Sequence, residues 1–446
     1  MKRIIRMEKY RNDAVKEYGT YTLAFLASYA ASYAGFFYLA GAVLMAAAVF
    51  LYVRISREAE NLTELRGLFT LAWVGGQGIA CLKLSRLSSA WHPVTWLCFF
   101  LIYIGFGIGY EWGRKKQAAP LKELRKDDTQ AGRLLLSILG LGAASLACFV
   151  FEAVRVGFIP LFSKEPHAYS YFHVSGVHYF TISCILIPAI TVLYLKVGYP
   201  KEMKEKALLL LANAEAFVIP ILCVSRFQLL FAVGFAVVTY IMVHRAIRLR
   251  TLGLIFAALI PAYVVLTVFR HHDVEYLNGI FEMRYAEMPI FITQPYMYVA
   301  NNFENFNCMV EQLARHSYGL RMLFPVIALT GLKFVFPQLV SSVIYLTKPE
   351  LTTLTMFYDA YYDFGIPGVF LFSVVLGGAA GRISESVRRS ENPVVYLFYG
   401  QMAIYLGLAF FTTWFSNPTT WFWFALTGMM YWFVGYDRRD DKSGRA

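Results

Sequence analysis

The sequence predicts an all-α, polytopic membrane protein with about 12 transmembrane helices. Composition is the first reason, because 58% of the 446 residues are hydrophobic and only 16% are charged. A soluble chain of this length would carry about 25% charged residues. The second reason is a series of apolar runs that approach the roughly 20 residues needed to cross a bilayer. The third is a one-sided distribution of Lys and Arg around those runs.

Twelve apolar runs follow one another along the chain. They cover residues 20–34, 36–54, 67–84, 93–112, 134–155, 177–197, 207–224, 227–243, 251–269, 366–383, 394–412 and 419–436. The first two have no polar break between them, so they can form one long helix or a tight hairpin. No internal repeat divides the series, and we expect a single transmembrane domain over 1–446.

Lys and Arg predict the orientation of these spans. With the N-terminus in the cytoplasm, the cytoplasmic segments carry 30 of the 41 Lys and Arg residues. We therefore expect both termini inside, and the formal charge of +12 marks the inner face without implying nucleic acid. The charged N-terminal segment has no cleavage site, so the first span should remain in the protein. The six cysteines show no paired spacing, so neither a disulfide nor a cysteine metal site is expected.

Two external segments are more than connectors. The short loop 155–180 is rich in aromatic and polar residues, and the large loop 270–362 lies between spans 9 and 10. Loops of this length are usually functional or disordered, and the many Phe, Tyr and Met residues here favour packing. The apolar stretch around 320–346 is interrupted by Pro325, Lys333 and Pro337. We expect it to form interfacial helices rather than a further crossing.

Arginines at the predicted outer face are candidates for binding a diphosphate. Guanidinium groups bind phosphate through two parallel hydrogen bonds and stay charged. Ionisable residues at a membrane are energetically costly, so they are candidates for a functional role. The alternative is that each arginine reaches the lipid headgroups and pairs with a nearby carboxylate. The candidates are Arg155, Arg226, Arg270 and Arg284, with Arg226 and Arg270 first.

A general base would come from a carboxylate or a histidine in the same region. The candidates are Asp359, Asp363, His178 and His271. Asp363 can instead be the N-cap of the helix that begins near residue 366. His271 and His272 are adjacent and would point about 100° apart on a helix, so no metal site is expected.

Polar aromatic and amide side chains are candidates for sugar contacts. Tyr298, Asn301 and Asn302 share one helix face if the segment is helical, and Tyr361 and Tyr362 adjoin the acidic residues. The alternatives are hydrogen bonds inside the loop for the amides and an aromatic belt at the membrane interface for the tyrosines.

Four segments in order resemble landmarks of one family. They are VGFIPLFSKEPHAYSYFHVSGVHYF, SRFQLL, YVANNFENFN and YDAYYDFGIPGVFLFSVVLGG, within residues 155–378. They resemble the Wzy-type oligosaccharide repeat-unit polymerases, which serve O-antigen and capsule assembly. The resemblance implies a GT-C-like membrane glycosyltransferase architecture in the bacterial cytoplasmic membrane, with no cofactor.

The resemblance implies transfer of a growing glycan from polyprenyl (undecaprenyl) diphosphate to the sugar hydroxyl of a new lipid-linked repeat unit. Chain-length regulator and flippase proteins are the partners that it implies, with no nucleic acid. The nearest alternative is an O-antigen ligase, which uses a different acceptor. A lipid-linked oligosaccharide flippase is the alternative from another class, and it predicts charges at mid-membrane and duplicated halves.

Overall fold

The chain is an all-helical, polytopic membrane protein. The computed structural model describes residues 2–114, 123–163, 168–245, 274–285, 287–340 and 343–436, with the single residues 250, 253, 254 and 257. Within these residues the only β-type pairing is an isolated bridge between Ser85 and Met283. Six of the described helices are long and apolar enough to cross a membrane.

Helices occur at every predicted span that the structure describes. In chain order they are α1 (Lys2–Tyr33), α2 (Phe37–Ala59), α3 (Leu65–Cys81), α4 (Pro93–Gly113), α5 (Asp128–Val156), α6 (Val177–Val197, with a 3-10 turn inside), α7 (Met203–Leu222), α8 (Arg226–His244), α9 (Val274–Phe281), α10 (Ile290–Gln312), α11 (Phe324–Leu329), α12 (Leu332–Val335), α13 (Tyr358–Arg389), α14 (Val395–Gly407) and α15 (Pro418–Gly435). The predicted span 251–269 lies outside the described residues.

The chain divides into two compact units. Unit 1 contains Met1–Lys116, Asp273–Arg382 and Tyr405–Pro418, and unit 2 contains Gln117–His272, Ile383–Ile404 and Thr419–Ala446. Each unit therefore draws on distant parts of the sequence.

A helical hairpin begins unit 1. The chain turns at Gly35, whose φ of 83° lies in the left-handed region that glycine adopts without strain. Ser28 on α1 then donates a 2.9 Å hydrogen bond to the Ala40 carbonyl on α2. Of the two forms open to the first apolar stretch, the protein therefore adopts the tight hairpin.

Glycines bring α4 and α13 close together in unit 1. A methyl group added at Gly109 would overlap the Val374 carbonyl oxygen, and one added at Gly377 would overlap the Phe106 carbonyl oxygen. Small residues allow helix backbones to approach in this way where no hydrophobic effect drives association. The glycines that end the apolar part of α13 thus serve as a packing surface for α4.

Segments of unit 1 that were predicted on the same membrane side lie together. Tyr38 and Tyr285, from the first turn and the large loop, share a 2.8 Å hydrogen bond between their hydroxyls. At the other helix ends, Arg66 contacts Glu17 at 2.9 Å and Glu111 at 2.5 Å. This grouping agrees with the predicted alternation of the first four spans, while the absolute orientation stays a prediction.

The large loop packs through α10 on the α3–α4 connection of unit 1. Phe303 of α10 contacts the rings of Trp73 and Phe99, at centroid distances of 5.3 Å each. Lys83 and Glu304 form a buried ion pair at 2.5 Å, and the Trp91 indole donates to the same carboxylate at 3.1 Å. Beyond α10, the described residues of the stretch around 320–346 form only short helices, as its prolines predict.

Unit 2 is built around α5, α6, α7 and α8. Buried apolar residues of α6 pack between α5 and α8, where Ile187, Ala189 and Ile190 are almost inaccessible to solvent. The aromatic residues of α15 join this core, since Trp423 meets Phe231 and Phe235 edge-on at centroid distances of 6.1 and 6.2 Å.

Candidate functional site

A carboxylate and a histidine meet at one end of unit 2. Glu152, on the last turns of α5, is fully buried, and His178 lies on the first turn of α6. The closest approach is 3.1 Å between His178 Nδ1 and Glu152 Oε2. A carboxylate only accepts hydrogen bonds, so Nδ1 carries the proton in this pair. The Nε2 atom is then left as the basic nitrogen.

Two further donors hold the Glu152 carboxylate. The Val174 amide donates to it at 2.7 Å and the Thr181 hydroxyl at 2.7 Å. Three donors compensate for the burial of this charge, which would otherwise be costly inside a protein. The carboxylate is therefore a fixed support for the imidazole rather than a group available to a substrate.

Local sequence explains why the two residues meet. Gly157, with φ of 84°, ends α5, and Gly176, with φ of 88°, begins the turn into α6. Between them Phe172 is buried and packs on Phe149 of α5 at 5.7 Å. The loop is thereby folded back onto α5, and His178 is placed above Glu152.

The His178 side chain remains accessible. It keeps 28% of its surface exposed, whereas Glu152 has none. No described residue bonds its Nε2 atom. A partly exposed imidazole that is oriented through Nδ1 by a carboxylate and has no described partner at Nε2 is suited to accept a proton from a hydroxyl group.

Arg155 and Arg226 lie at the same end of unit 2 as this pair. Arg155 is exposed on the last turn of α5, three residues after Glu152. Arg226 is the first residue of α8 and is partly buried. The turn before it is covered by the short loop, because Val224 and Leu229 pack against Leu161 and Tyr169. Two arginines of the predicted diphosphate site therefore lie in the same region as the Glu152–His178 pair.

Two other predicted residues lie outside the described part of the chain, namely Arg270 and His271. Arg284 is described and belongs to unit 1. Its side chain is exposed, and its Nε approaches the Ser85 carbonyl at 3.4 Å.

Asp359 is engaged in an ion pair in unit 1. Arg321 Nε donates to Asp359 Oδ1 at 2.5 Å, and a second guanidinium nitrogen donates to the Val343 carbonyl at 3.0 Å. Burial by itself lowers the pKa of Arg321, but the Asp359 charge and hydrogen bond outweigh it and raise the pKa above its ordinary value. Asp359 is therefore the ion-pair partner of Arg321.

Aromatic rings line this ion pair. The Arg321 guanidinium lies over the Tyr362 ring at 4.7 Å and near the Tyr358 ring at 5.7 Å. Tyr362 and its neighbour Tyr361 are mostly buried, with 6% and 9% of their surfaces exposed. The tyrosines predicted for sugar contact thus lie at the wall of the Arg321 site, with little of their surface accessible.

The contacts of Asp363 do not favour the alternative that it caps the helix beginning near residue 366. Two helical stretches of α13 meet at Gly365, where φ is 63° and ψ is −146°, so a helical stretch does begin after this kink, as the predicted span 366–383 requires. Asp363 is instead bound by the preceding loop: it accepts hydrogen bonds from the Ser317 hydroxyl, the Arg321 amide at 3.3 Å and the Met322 amide at 2.8 Å. Its carboxylate organises that loop and thereby positions Arg321.

The amides of α10 are used within the fold. Asn301 accepts from the Thr347 hydroxyl at 2.7 Å, and Asn302 donates to the Phe410 carbonyl at 2.8 Å. Both are almost fully buried. Tyr298 is partly exposed and bonds Gln294 at 3.3 Å. Of the two roles considered for the asparagines, these contacts favour hydrogen bonding within the loop.

Sequence reasoning missed Glu152, Arg321 as a partner of Asp359, and the Lys83–Glu304 pair. Glu152 carried a signal, because it is an acidic residue inside an apolar run, and such residues are functional candidates by default. Its partner is 26 positions away, and no spacing rule connects the two. Arg321 lies in the large external loop 270–362, but its link to Asp359 spans 38 positions.

The fold and these sites define an all-helical, polytopic membrane protein with a carboxylate–histidine pair. In the described part of the chain, no three His, Cys, Asp or Glu side chains are grouped so that they could hold a metal ion. Comparison of the chain with protein-family models, with curated proteins and with solved structures gives no match.

Proposed function

We propose that the protein is a bacterial inner-membrane glycosyltransferase that polymerises lipid-linked oligosaccharide repeat units. It would have twelve spans with both termini inside and a GT-C-like architecture. The growing glycan would move from polyprenyl diphosphate to a sugar hydroxyl of an incoming lipid-linked repeat unit, at the outer face and without a metal ion. The observation that carries the proposal is the Glu152–His178 pair, whose imidazole is partly exposed at the same end of unit 2 as Arg155 and Arg226.

His178 is the base in this proposal. The acceptor hydroxyl oxygen forms a bond to the anomeric carbon of the donor glycan as its proton passes to His178 Nε2. The bond between that carbon and the diphosphate oxygen breaks, and the polyprenyl diphosphate leaves with the electron pair. Glu152 stabilises the imidazolium that results, because its buried carboxylate is bonded to Nδ1.

Arginines neutralise the leaving group. Arg226 and Arg155 supply positive charge at the same end of unit 2, and Arg270 and Arg284 are the further candidates from the sequence. Preorganised charge of this kind stabilises a developing anion without a proton transfer. Asp359 and Asp363 are less suited to act as bases than the sequence alone indicates, because Arg321 and the 317–322 loop already occupy their oxygens.

The test is a reconstituted reaction of the purified protein with a synthetic lipid-linked repeat unit as the sole substrate. A ladder of lengthening glycans is the expected product, and it should form equally with and without a chelator. If a product forms only when a second acceptor is added, the protein is a ligase. Movement of the lipid across vesicles without chain growth would identify a flippase. Loss of all product in chelator would overturn the metal-free proposal.

A further inference from the structure

A partly buried carboxyl group of unit 2 has no basic partner among the residues that the structure describes. Glu215 is near the middle of α7 and of the predicted span 207–224. Its Oε1 atom is buried and has no hydrogen-bond partner, and no described Lys, Arg or His forms an ion pair with it. Glu152, which is fully buried in the same unit, has three donors by contrast.

The surroundings of Glu215 are small and apolar. Its Oε2 atom packs on the bare backbone of Gly142 on α5, where an added methyl group would lie 3.1 Å away. Ile187 of α6 and Ala212 of α7 line the same spot, at 3.7 and 3.8 Å from that methyl position. The absence of a side chain at residue 142 leaves room for the carboxyl group between α5 and α7.

A carboxylate anion is not compensated in these surroundings. Moving an unpaired charge out of water costs several kcal/mol or more, and such a group takes up a proton instead. Among the described residues, the titratable group that interacts with Glu215 is the Cys184 thiol on α6, and Gly142 and Ile187 present none. A thiol beside the carboxyl offers no positive charge, so the neutral acid is the form that fits.

We infer that Glu215 is a proton-binding site within the membrane-embedded part of unit 2, with H⁺ as its ligand. Binding of the proton permits the close packing of α7 on α5 at Gly142, and loss of the proton places an unpaired charge between the two helices. Membrane-buried carboxyl groups of this kind are the groups through which proton uptake acts on membrane proteins. The inference concerns a different part of unit 2 from the transfer site and does not depend on the proposed reaction.

A hydrophobic carbodiimide tests the site directly. A protonated carboxyl group adds across one C=N bond of the reagent: the proton goes to nitrogen, the carboxyl oxygen bonds to carbon, and the O-acylisourea rearranges to a stable N-acylurea. We expect dicyclohexylcarbodiimide to label Glu215 in the membrane-embedded full chain at neutral pH, with less label as the pH is raised. Peptide mass spectrometry locates the label.

The controls are a matched variant and a matched carboxyl group. Glu215→Gln keeps the shape of the neutral acid and should lose the label at that peptide while the protein remains folded by size-exclusion chromatography. Glu152, held by three donors, should stay unlabelled in the wild-type protein. Absence of label at Glu215, or label that is indifferent to pH, would overturn the inference.

Infrared spectroscopy gives a second readout that needs no reagent. The wild-type minus Glu215→Gln difference spectrum at neutral pH should contain the C=O stretching band of a carboxylic acid, and raising the pH should replace it with carboxylate bands. Carboxylate bands already present at neutral pH would refute the site. Neither readout uses glycan transfer, so a failure of the proposed function would leave this result intact.

Discussion

Arg321 and Asp359 form an ion pair of 2.5 Å between Nε and Oδ1, with 11% and 5% of their side chains exposed. The pair joins the loop before α11 to the first turn of α13. Asp363, one turn later, binds the amides of Arg321 and Met322. Two acidic residues of one short segment therefore hold the same loop. Asp359 binds the Arg321 side chain, and Asp363 binds the backbone amides of Arg321 and Met322.

Removal of Arg321 should destabilise unit 1. In Arg321→Ala the Asp359 carboxylate stays buried without its cation, which costs about 3–5 kcal/mol. A thermal melt followed by size-exclusion chromatography should show a clear drop in melting temperature for Arg321→Ala. The melting temperature should change little for Arg315→Ala, which removes an exposed arginine of the same loop. The double variant Arg321→Met/Asp359→Leu should recover part of the loss. Equal melting of the two single variants would contradict a stabilising pair.

The Glu152–His178 pair should control the rate of transfer. His178→Ala should lower kcat by roughly 10²–10⁴-fold, the usual contribution of a general base. Glu152→Gln should lower kcat as well, because the imidazolium loses its counter-charge. His173→Ala is the matched control, since this exposed imidazole lies 6.4 Å from His178 between ring centroids. Full activity of Glu152→Gln would argue against the dyad.

Arginines at the predicted outer end of the protein should be needed for polymer formation. Arg226→Ala and Arg270→Ala should each abolish polymer while the protein remains in the membrane, because the diphosphate would depart without charge stabilisation. Arg155→Ala should have a smaller effect, since its side chain is exposed. Quantified glycan ladders and membrane fractionation measure both properties. Arg125→Ala, an exposed arginine on the predicted inner side, should retain activity; an equal loss there would indicate a general charge effect.

The Lys83–Glu304 pair should anchor the large loop to the α3–α4 connection. Both side chains are at most 3% exposed, so Glu304→Gln leaves a buried ammonium group unpaired and should cost about 3–5 kcal/mol. The double variant Lys83→Met/Glu304→Gln should be more stable than Glu304→Gln alone. Thermal melts of the two single variants and the double variant give the coupling energy. If the loss of stability in the double variant equals the sum of the losses in the two single variants, the two residues are not coupled.

The glycine contact between α4 and α13 predicts a steep sensitivity to one methyl group. Gly109→Ala should destabilise the protein, because the added carbon would overlap the Val374 carbonyl. Gly19→Ala on α1 is the matched control, since nothing lies within 4 Å of its added carbon. That variant should be neutral or gain up to about 1 kcal/mol from helix propensity. Thermal melts in one detergent compare the two, and similar melting would disprove the close contact.

Parts of the candidate site could be predicted from the sequence because single residues carry a strong signal. His178 and Arg226 were identified by their charge or basicity at the ends of apolar runs, which is a local property. For Asp363 the local signal gave only the helix start at Gly365 and Pro367, where the structure has its kink, and not the partners of the carboxylate. The amides of Arg321 and Met322 bind its carboxylate from a distance of about 40 positions, and no local pattern contains them.

The sequence alone determined that this is a polytopic helical membrane protein and where most of its helices lie. Hydropathy and charge act over about 20 consecutive residues, so these features can be read along the chain. Only the tertiary structure decided which acidic groups have a basic partner: Glu152 pairs with His178 and Asp359 with Arg321, whereas no described basic side chain pairs with Glu215. The energy of a buried charge depends on neighbours within a few ångströms, and those neighbours come from distant parts of the chain.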